Sequence, residues 1–346
     1  MRLLTIPKSN MVYVRRLNEA LRKRGLEVDE TPFPYLRWPR NLIRFLLKLT
    51  RAHDACQMHW SVFDSHAMMR LFFRLDLPKV WTVHNLVPHE PLFKDDLAVS
   101  SLYLRSVDVA VWHSHRSIAD AKRTFAAREL PTTWSAEDVV IPLMSFNDSF
   151  PDQVSEADAR RRLGLGESEF VVGHFGPTAQ YKGTDTFLEL PPMARGDDIT
   201  FLIFGACHDP SLAERIAAAA RANPRLKVHL TPIPDEELQY WFRACDLVVQ
   251  PYTDITTSGS IMFPIAFSKP VVASPLGNIP DVIQPGKTGW LAATAPELYR
   301  SILEANSSPE AALAMGRRAH EFVDETAGLD RVADAYLQIY ERLARP

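Results

Sequence analysis

Short apolar runs alternate with amphipathic helical stretches along almost the whole of this chain, and that alternation limits the fold more than any other feature. In the first half the strand-like runs are Arg2–Ile6, Leu26–Asp29, Asp54–Met58, Lys79–Val83, Asp108–Trp112 and Val139–Ile141. Helical patterns such as Asn10–Arg24, Val62–Leu75 and His115–Arg128 fill the gaps. In the second half the strands read Phe170–Phe175, Thr200–Gly205, Leu226–Leu230, Leu247–Gln250 and Pro270–Ser274. Their helices read Thr184–Met193, Pro210–Ala222, Asp235–Ala244 and Ser260–Ser268. Strand then helix, repeated, predicts a mostly parallel sheet covered on both faces. Two such series predict an α/β chain of two Rossmann-like, doubly wound domains, and 346 residues is the length two domains need.

The break falls near Phe146–Pro151, where turn formers cluster. It divides the chain into residues 1–147, residues 148–325, and a final segment 326–346 whose helix could reach back to the first domain. Just after the break, Ser155 with Asp158 three residues on predicts a capped helix start, which Gly164 or Gly166 can end.

A net charge of -3 argues against a nucleic-acid partner, which selects a strongly basic domain. Three widely spaced cysteines, without metal-ligand spacing, read as reduced, and no metal is expected. The N-terminal apolar run is broken by Pro7 and Lys8, so no signal peptide is read there, and no run approaches the ~20 residues of a membrane span. The expected location is cytoplasmic, or peripheral on the inner face of a membrane.

Ligands of open α/β sheets sit beyond the carboxyl ends of the strands. In the second domain, Gly176 follows a strand, and Lys182 and Gly183 stand at the start of a helix. A lysine beside free backbone amides suits a diphosphate, although a solvated lysine and a turn glycine would read the same. Thr257, Ser258, Gly259 and Ser260 lie where a loop becomes a helix, and small residues let the backbone approach an anion; an ordinary N-cap has the same composition.

In the first domain, His84, Asn85, His89 and Glu90 follow a buried-strand pattern, a group suited to acid–base work near neutral pH. His59 and Trp60 follow another strand and suit sugar hydroxyls and faces, with a core tryptophan as the alternative. His113 and His115 hold a comparable position with less company. In PRNLIRFLLKLTR, Arg40, Arg44 and Lys48 recur every four residues, while Leu42, Phe45, Leu46 and Leu49 follow core spacing. Such a basic amphipathic helix can lie on an anionic membrane surface or simply present a solvated face. Arg15, Arg16, Arg22, Lys23 and Arg24 add a second basic stretch.

Taken in order, HNLVPHE, GPTAQYKG and PY…TSGS…KPVVAS…G resemble the GT-B glycosyltransferases of the broad group-1 type. Within them, the asparagine–x–x–tyrosine of Asn10 and Tyr13 and the pair His59–Trp60 are similar to the xanthan-type β-mannosyltransferases of exopolysaccharide assembly. The resemblance covers nearly the whole chain. It implies a nucleotide-sugar donor, GDP-mannose or a UDP-sugar, in a cleft between the domains, and a saccharide or lipid-linked acceptor. By the same resemblance Lys182 meets the diphosphate, Ser258–Gly259–Ser260 cradle it, and His84 lies near the transferred sugar. Asn10, His59, Trp60, Asn85 and His89 then face the acceptor, with Glu90 or His84 as the base of an inverting hexosyl transfer. No cofactor or metal is implied, the nucleotide sugar being a substrate. Two positions depart from the pattern: Pro177 or Ala179 stands where many relatives carry an arginine, and Phe263 where many carry a ribose-binding glutamate. A non-catalytic protein of the same fold that binds a glycan or partner in an assembly complex is the alternative, and a nucleotide-sugar epimerase a third.

Overall fold

The computed structural model describes residues 1–88 and 92–344. Two compact units form, one of Met1–Met144 with Thr326–Pro346, the other of Ser145–Glu325. The first runs β1 (Arg2–Ile6), α1 (Val12–Lys23), β2 (Glu27–Glu30), α2 (Pro39–Leu49), β3 (Ala55–His59), α3 (His66–Phe73), β4 (Lys79–Val83), α4 (Asp96–Leu104), β5 (Val109–Trp112), α5 (His115–Ala127) and β6 (Glu137–Val140). The second runs α6 (Glu156–Leu163), β7 (Phe170–Phe175), α7 (Thr184–Leu188), α8 (Leu190–Met193), β8 (Ile199–Phe204), α9 (Pro210–Ala222) and β9 (Leu226–His229). It continues with α10 (Leu238–Ala244), β10 (Leu247–Gln250), α11 (Met262–Ala266), β11 (Val271–Ala273), α12 (Ile279–Val282), β12 (Trp290–Leu291), α13 (Ala295–Ser307) and α14 (Pro309–Ala327). The last helix, α15 (Leu329–Leu343), belongs to the first unit.

Each unit holds one six-stranded sheet, with strand orders β2-β1-β3-β4-β5-β6 and β12-β11-β10-β7-β8-β9, every pairing parallel. The order reverses beside β1 in the first sheet and beside β7 in the second, and a crevice opens at such a point past the carboxyl ends.

Strand period 2 sorts the first sheet into two unlike faces. Cys56, Met58, Trp81, Val83, Ala110 and Trp112 share one core with Phe45, Phe72 and Tyr103 from the helices. The alternate positions Gln57, His59 and Thr82 are buried and polar, so they need partners. Helix α15 supplies them: Tyr340 donates to Gln57 Oε1 (2.7 Å), Gln57 Nε2 donates to Thr82 Oγ1 (2.8 Å), and Thr82 meets the Tyr336 hydroxyl at 2.7 Å. Tyr336 also meets the Tyr13 hydroxyl at 3.0 Å, and Arg24 ties α1 to Asp330 and Asp334 of α15 at 2.9 and 2.5 Å.

The second sheet is apolar on both faces, with Val172, Phe201, Ile203 and Val249 in one core and Val171, Leu202, Phe204 and Val248 in the other. Ser155 caps α6 by accepting from the Asp158 amide (3.1 Å), and Gly164 ends it in the left-handed region at φ 63°. The helix expected over Thr184–Met193 is two short ones, because Pro191 and Pro192 remove amide donors in its middle. The one expected over Ser260–Ser268 covers only Met262–Ala266. The helix expected from Val62 starts at His66, where Ser65 accepts from the Met68 amide. No helix among the described residues is long and apolar enough to cross a membrane.

Candidate functional site

In the second unit the loops after β7 and β10 meet at the point where strand order reverses. Lys182 from the first loop donates to Ser260 Oγ from the second. The ammonium lies 5.5 Å from the centre of the Tyr252 ring and is buried, with no carboxylate paired to it among the described residues. Burial alone pushes its pKa down to about 7. A buried ammonium held by one hydroxyl and one ring lacks an anionic partner.

Two glycines make this approach possible. A Cβ on Gly176 (φ 124°) would lie 2.6 Å from Lys182 Nζ, so a side chain there would displace the ammonium from this position. One on Gly183 (φ 71°) would fall 1.6 Å from the Pro251 carbonyl oxygen, so this glycine lets the two loops touch.

The TSGS turn is partly spoken for. The Ser258 amide donates to Asn278 Oδ1 (2.9 Å), and the Ser258 hydroxyl donates to Tyr252 (2.7 Å) and accepts from the Ile261 amide (3.3 Å). The expected cradle of three residues therefore narrows to Gly259 and Ser260, because Ser258 is committed to holding the turn. Nothing lies within 4 Å of a Cβ built on Gly259, so that side of the turn is open. The buried Thr257 hydroxyl has no partner among the described residues. Phe263 packs between Phe146, Phe150 and Phe175, at ring distances of 5.3, 5.1 and 4.9 Å.

In the first unit three imidazoles form one hydrogen-bonded row. The strand register sets Val83 opposite Trp112, so the next residues, His84 and His113, emerge side by side. His113 Nδ1 lies 3.0 Å from the Ile141 carbonyl oxygen, His113 Nε2 lies 3.1 Å from His84 Nδ1, and His84 Nε2 lies 3.3 Å from His59 Nδ1. A carbonyl only accepts, so His113 carries its proton on Nδ1. Each ring then fixes the next: His84 donates from Nδ1, His59 donates from Nδ1, and the row ends on the lone pair of His59 Nε2. That nitrogen is buried without a partner among the described residues.

Tyr13 presents its ring edge-on to His59, His84 and His113 at 5.9, 4.9 and 5.6 Å, and Trp60, at φ 63°, stacks on His84 at 4.7 Å. Burial lowers the pKa of His59 to about 3 and of His113 to about 4, and holds His84 well below the ordinary histidine value. All three are neutral near pH 7. His84 is thus a link in the row with both nitrogens engaged, rather than a lone base, and the acceptor the row offers is His59 Nε2.

Of the other expected residues, Asn10 is exposed in the loop after β1, and Asn85 is half-buried after β4. His89 and Glu90 lie outside the described residues. Asn278 and Tyr336 carried no distinctive sequence signal, and Tyr252 carried only its place in the PY…TSGS motif. His113 did: it shares the strand-end position of His84, and parallel pairing of the two strands would have joined them.

Residues 169–307 match the glycosyl transferases group 1 family. GDP-mannose:glycolipid 4-beta-D-mannosyltransferase of Xanthomonas campestris pv. campestris is 23% identical over 275 residues, 78% of this chain and 68% of that protein. A second protein of that name is covered over 60% of its own length. The 2-deoxystreptamine glucosyltransferase of Streptomyces kanamyceticus is 26% identical over 379 aligned positions, 98% of this chain and 93% of that one. Among solved structures, sucrose-phosphate synthase from Thermosynechococcus elongatus superposes with a TM-score of 0.79 at 19% identity, covering 99% and 98% of the two chains. Anabaena HepE in complex with UDP and glucose gives 0.75 at 16% identity, covering 99% and 100%. Two parallel six-stranded sheets of this kind are the GT-B fold, and residues 169–307 are a group 1 glycosyltransferase domain within it.

Proposed function

We propose that this chain transfers a hexose from a nucleotide sugar to a saccharide or lipid-linked acceptor, in the assembly of an exopolysaccharide or glycolipid. The observation that carries the reading is Lys182, a buried ammonium at the strand-order reversal of the second unit, facing the open Gly259–Ser260 turn. A diphosphate is the anion such a site lacks. Donor cleavage leaves negative charge on the β-phosphate, and Lys182 with the amides of Gly259 and Ser260 offsets it, the work a metal does elsewhere. The reaction is then metal-independent and needs no cofactor.

The first unit holds the acceptor. In the transfer the acceptor oxygen bonds to the anomeric carbon, the bond from that carbon to the phosphate oxygen breaks with its electron pair, and the hydroxyl proton passes to a base. His59 Nε2 accepts a hydrogen bond from a hydroxyl and orients it, and Glu90 takes the proton. With a base present the transfer inverts the anomeric centre. The similarity to GDP-mannose:glycolipid 4-beta-D-mannosyltransferase favours GDP-mannose, and the UDP complex of the neighbour a UDP-sugar. The position of Phe263, in an aromatic cluster where relatives carry a ribose-binding glutamate, favours a second reading: a protein of this fold that binds a glycan without turnover.

The test is transfer by the full chain from GDP-mannose and from UDP-glucose to a lipid-linked saccharide extract, with the product linkage assigned by NMR. A β-linked product from an α-donor is expected. An α-linked product removes the base, and nucleotide binding without any transfer selects the second reading.

A further inference from the structure

On the face of the first sheet that α15 covers, strand positions that are apolar in the second sheet are polar instead. Gln57, His59 and Thr82 are all buried there, and a buried polar group destabilises the fold unless it is paired. Valine or leucine at these positions would pack the helix at lower cost, so the polar choice asks for a reason beyond docking. The side chains that α15 buries are Val332, Ala333, Tyr336, Ile339 and Tyr340, and both tyrosines are fully buried. The Tyr340 hydroxyl stops at Gln57. That of Tyr336 bridges two elements.

The two partners of the Tyr336 hydroxyl are the residues that frame the histidine row. Thr82, at 2.7 Å, is set opposite His59 by the strand register, and its carbonyl oxygen accepts from the His84 amide (3.1 Å). Tyr13, at 3.0 Å, is the ring that meets all three imidazoles edge-on. A phenol donates one hydrogen bond and accepts another, so Tyr336 serves both neighbours at once. Burial pushes its pKa up to about 12, so it stays protonated near neutral pH. Phenylalanine would fill the same space and leave Thr82 and Tyr13 unlinked.

We propose that Tyr336 is a positioning residue: through Thr82 and Tyr13 it holds His59, His84 and His113 in one tautomer pattern, and so keeps the lone pair of His59 Nε2 for the acceptor hydroxyl. A hydrogen-bonded row passes a shift of one ring to the next, so a link made to its frame is felt at its free end. The last helix thereby completes the acceptor side with a residue 254 positions from Thr82. The proposal deepens the acceptor reading above and rests on it for the hydroxyl alone. The dependence of the row on Tyr336 is measured without any acceptor.

The test is Tyr336→Phe in the full chain, with Tyr340→Phe as the matched loss of one buried hydroxyl from the same helix. Proton–nitrogen correlation spectra of histidine-labelled protein report which nitrogen of each imidazole carries the proton. Wild type is expected to show His59, His84 and His113 protonated on Nδ1. Tyr336→Phe mixes the tautomers of His59 and His84 and lowers kcat for transfer by about tenfold or more, while KM for the donor and the nucleotide Kd stay as in wild type. Tyr340→Phe, which leaves the Tyr336 link in place, keeps the wild-type spectrum and kcat. Thr82→Val cuts the same link from the other side, so its effect on kcat combined with Tyr336→Phe is less than the sum of the two. Wild-type tautomers in Tyr336→Phe overturn the proposal, as does a disturbed row with unchanged kcat, or a Tyr340→Phe variant that disturbs both equally. A wild-type chain with the single tautomer pattern but no transfer overturns the acceptor reading, and the spectra of Tyr336→Phe then still decide the positioning.

Discussion

Lys182→Met raises the Tm of the free protein while it weakens nucleotide binding. The two effects have one cause. Lowering a lysine pKa from its ordinary 10.5 to about 7 means that the folded chain holds the charged form at a cost of a few kcal/mol. Methionine fills the same space without the charge, so a gain of about 3 kcal/mol is expected near neutral pH, roughly 6–12 °C for a unit of this size. The sign of the pH dependence follows. Between pH 7 and 10.5 the unfolded chain binds the proton more tightly, so wild-type stability rises with pH across that window. The advantage of the variant therefore shrinks between pH 6.5 and 9. A diphosphate that supplies the missing anion reverses the ranking, and losing the lysine weakens its binding by about 30-fold or more. Calorimetric scans at both pH values, with and without nucleotide, read all of this. A variant less stable than wild type when free, or one that binds nucleotide as tightly as wild type, contradicts the reading of Lys182.

Mild acid destabilises the first unit through its histidine row. His59, His84 and His113 are held neutral by burial, with folded pKa values below the ordinary 6.5. Below pH 6.5 the unfolded chain takes up protons that the folded one does not, so stability is lost as pH falls toward the folded values near 3 and 4. Each histidine kept neutral costs on the order of 1 kcal/mol by pH 5.5, so the row loses a few kcal/mol there. His174 in the second unit, lowered to about 4 with Nδ1 3.0 Å from the Val249 carbonyl oxygen, adds a like amount there. Urea titrations at pH 7 and 5.5 measure the drop. A stability unchanged between those values means that the imidazoles are not buried and neutral.

The sequence showed the sheets clearly because strands buried on both faces read as near-continuous apolar runs. Phe170–Phe175 and Leu247–Gln250 lie at the residues expected, and the helix expected in the final segment forms over Leu329–Leu343. β12, only Trp290–Leu291, is too short to leave a period. Helix α2 was read with Leu46 in its core stripe. The spacing of Leu42, Phe45, Leu46 and Leu49 admits a stripe on either side of Phe45, and the register that exposes Leu46 is set by tertiary contact.

The site was legible residue by residue, though not as an assembly. His59, His84 and Lys182 stand out at strand ends, but nothing local says that three imidazoles share protons in one row. Nor does anything local say that Tyr336, 254 positions from Thr82, completes the polar strip beneath them. Ser258 read as a phosphate ligand because an N-cap and an anion use the same amides. Asn278, which claims that amide, lies 20 positions on.

The measurement that bears most directly on the glycosyltransferase reading is a calorimetric titration of the full chain with GDP and with UDP, without added metal. Saturable binding of one of them at one site per chain is expected, with proton uptake near pH 7.5 as the diphosphate holds Lys182 charged. Absence of binding by both nucleotides, or binding with no proton linkage, contradicts it.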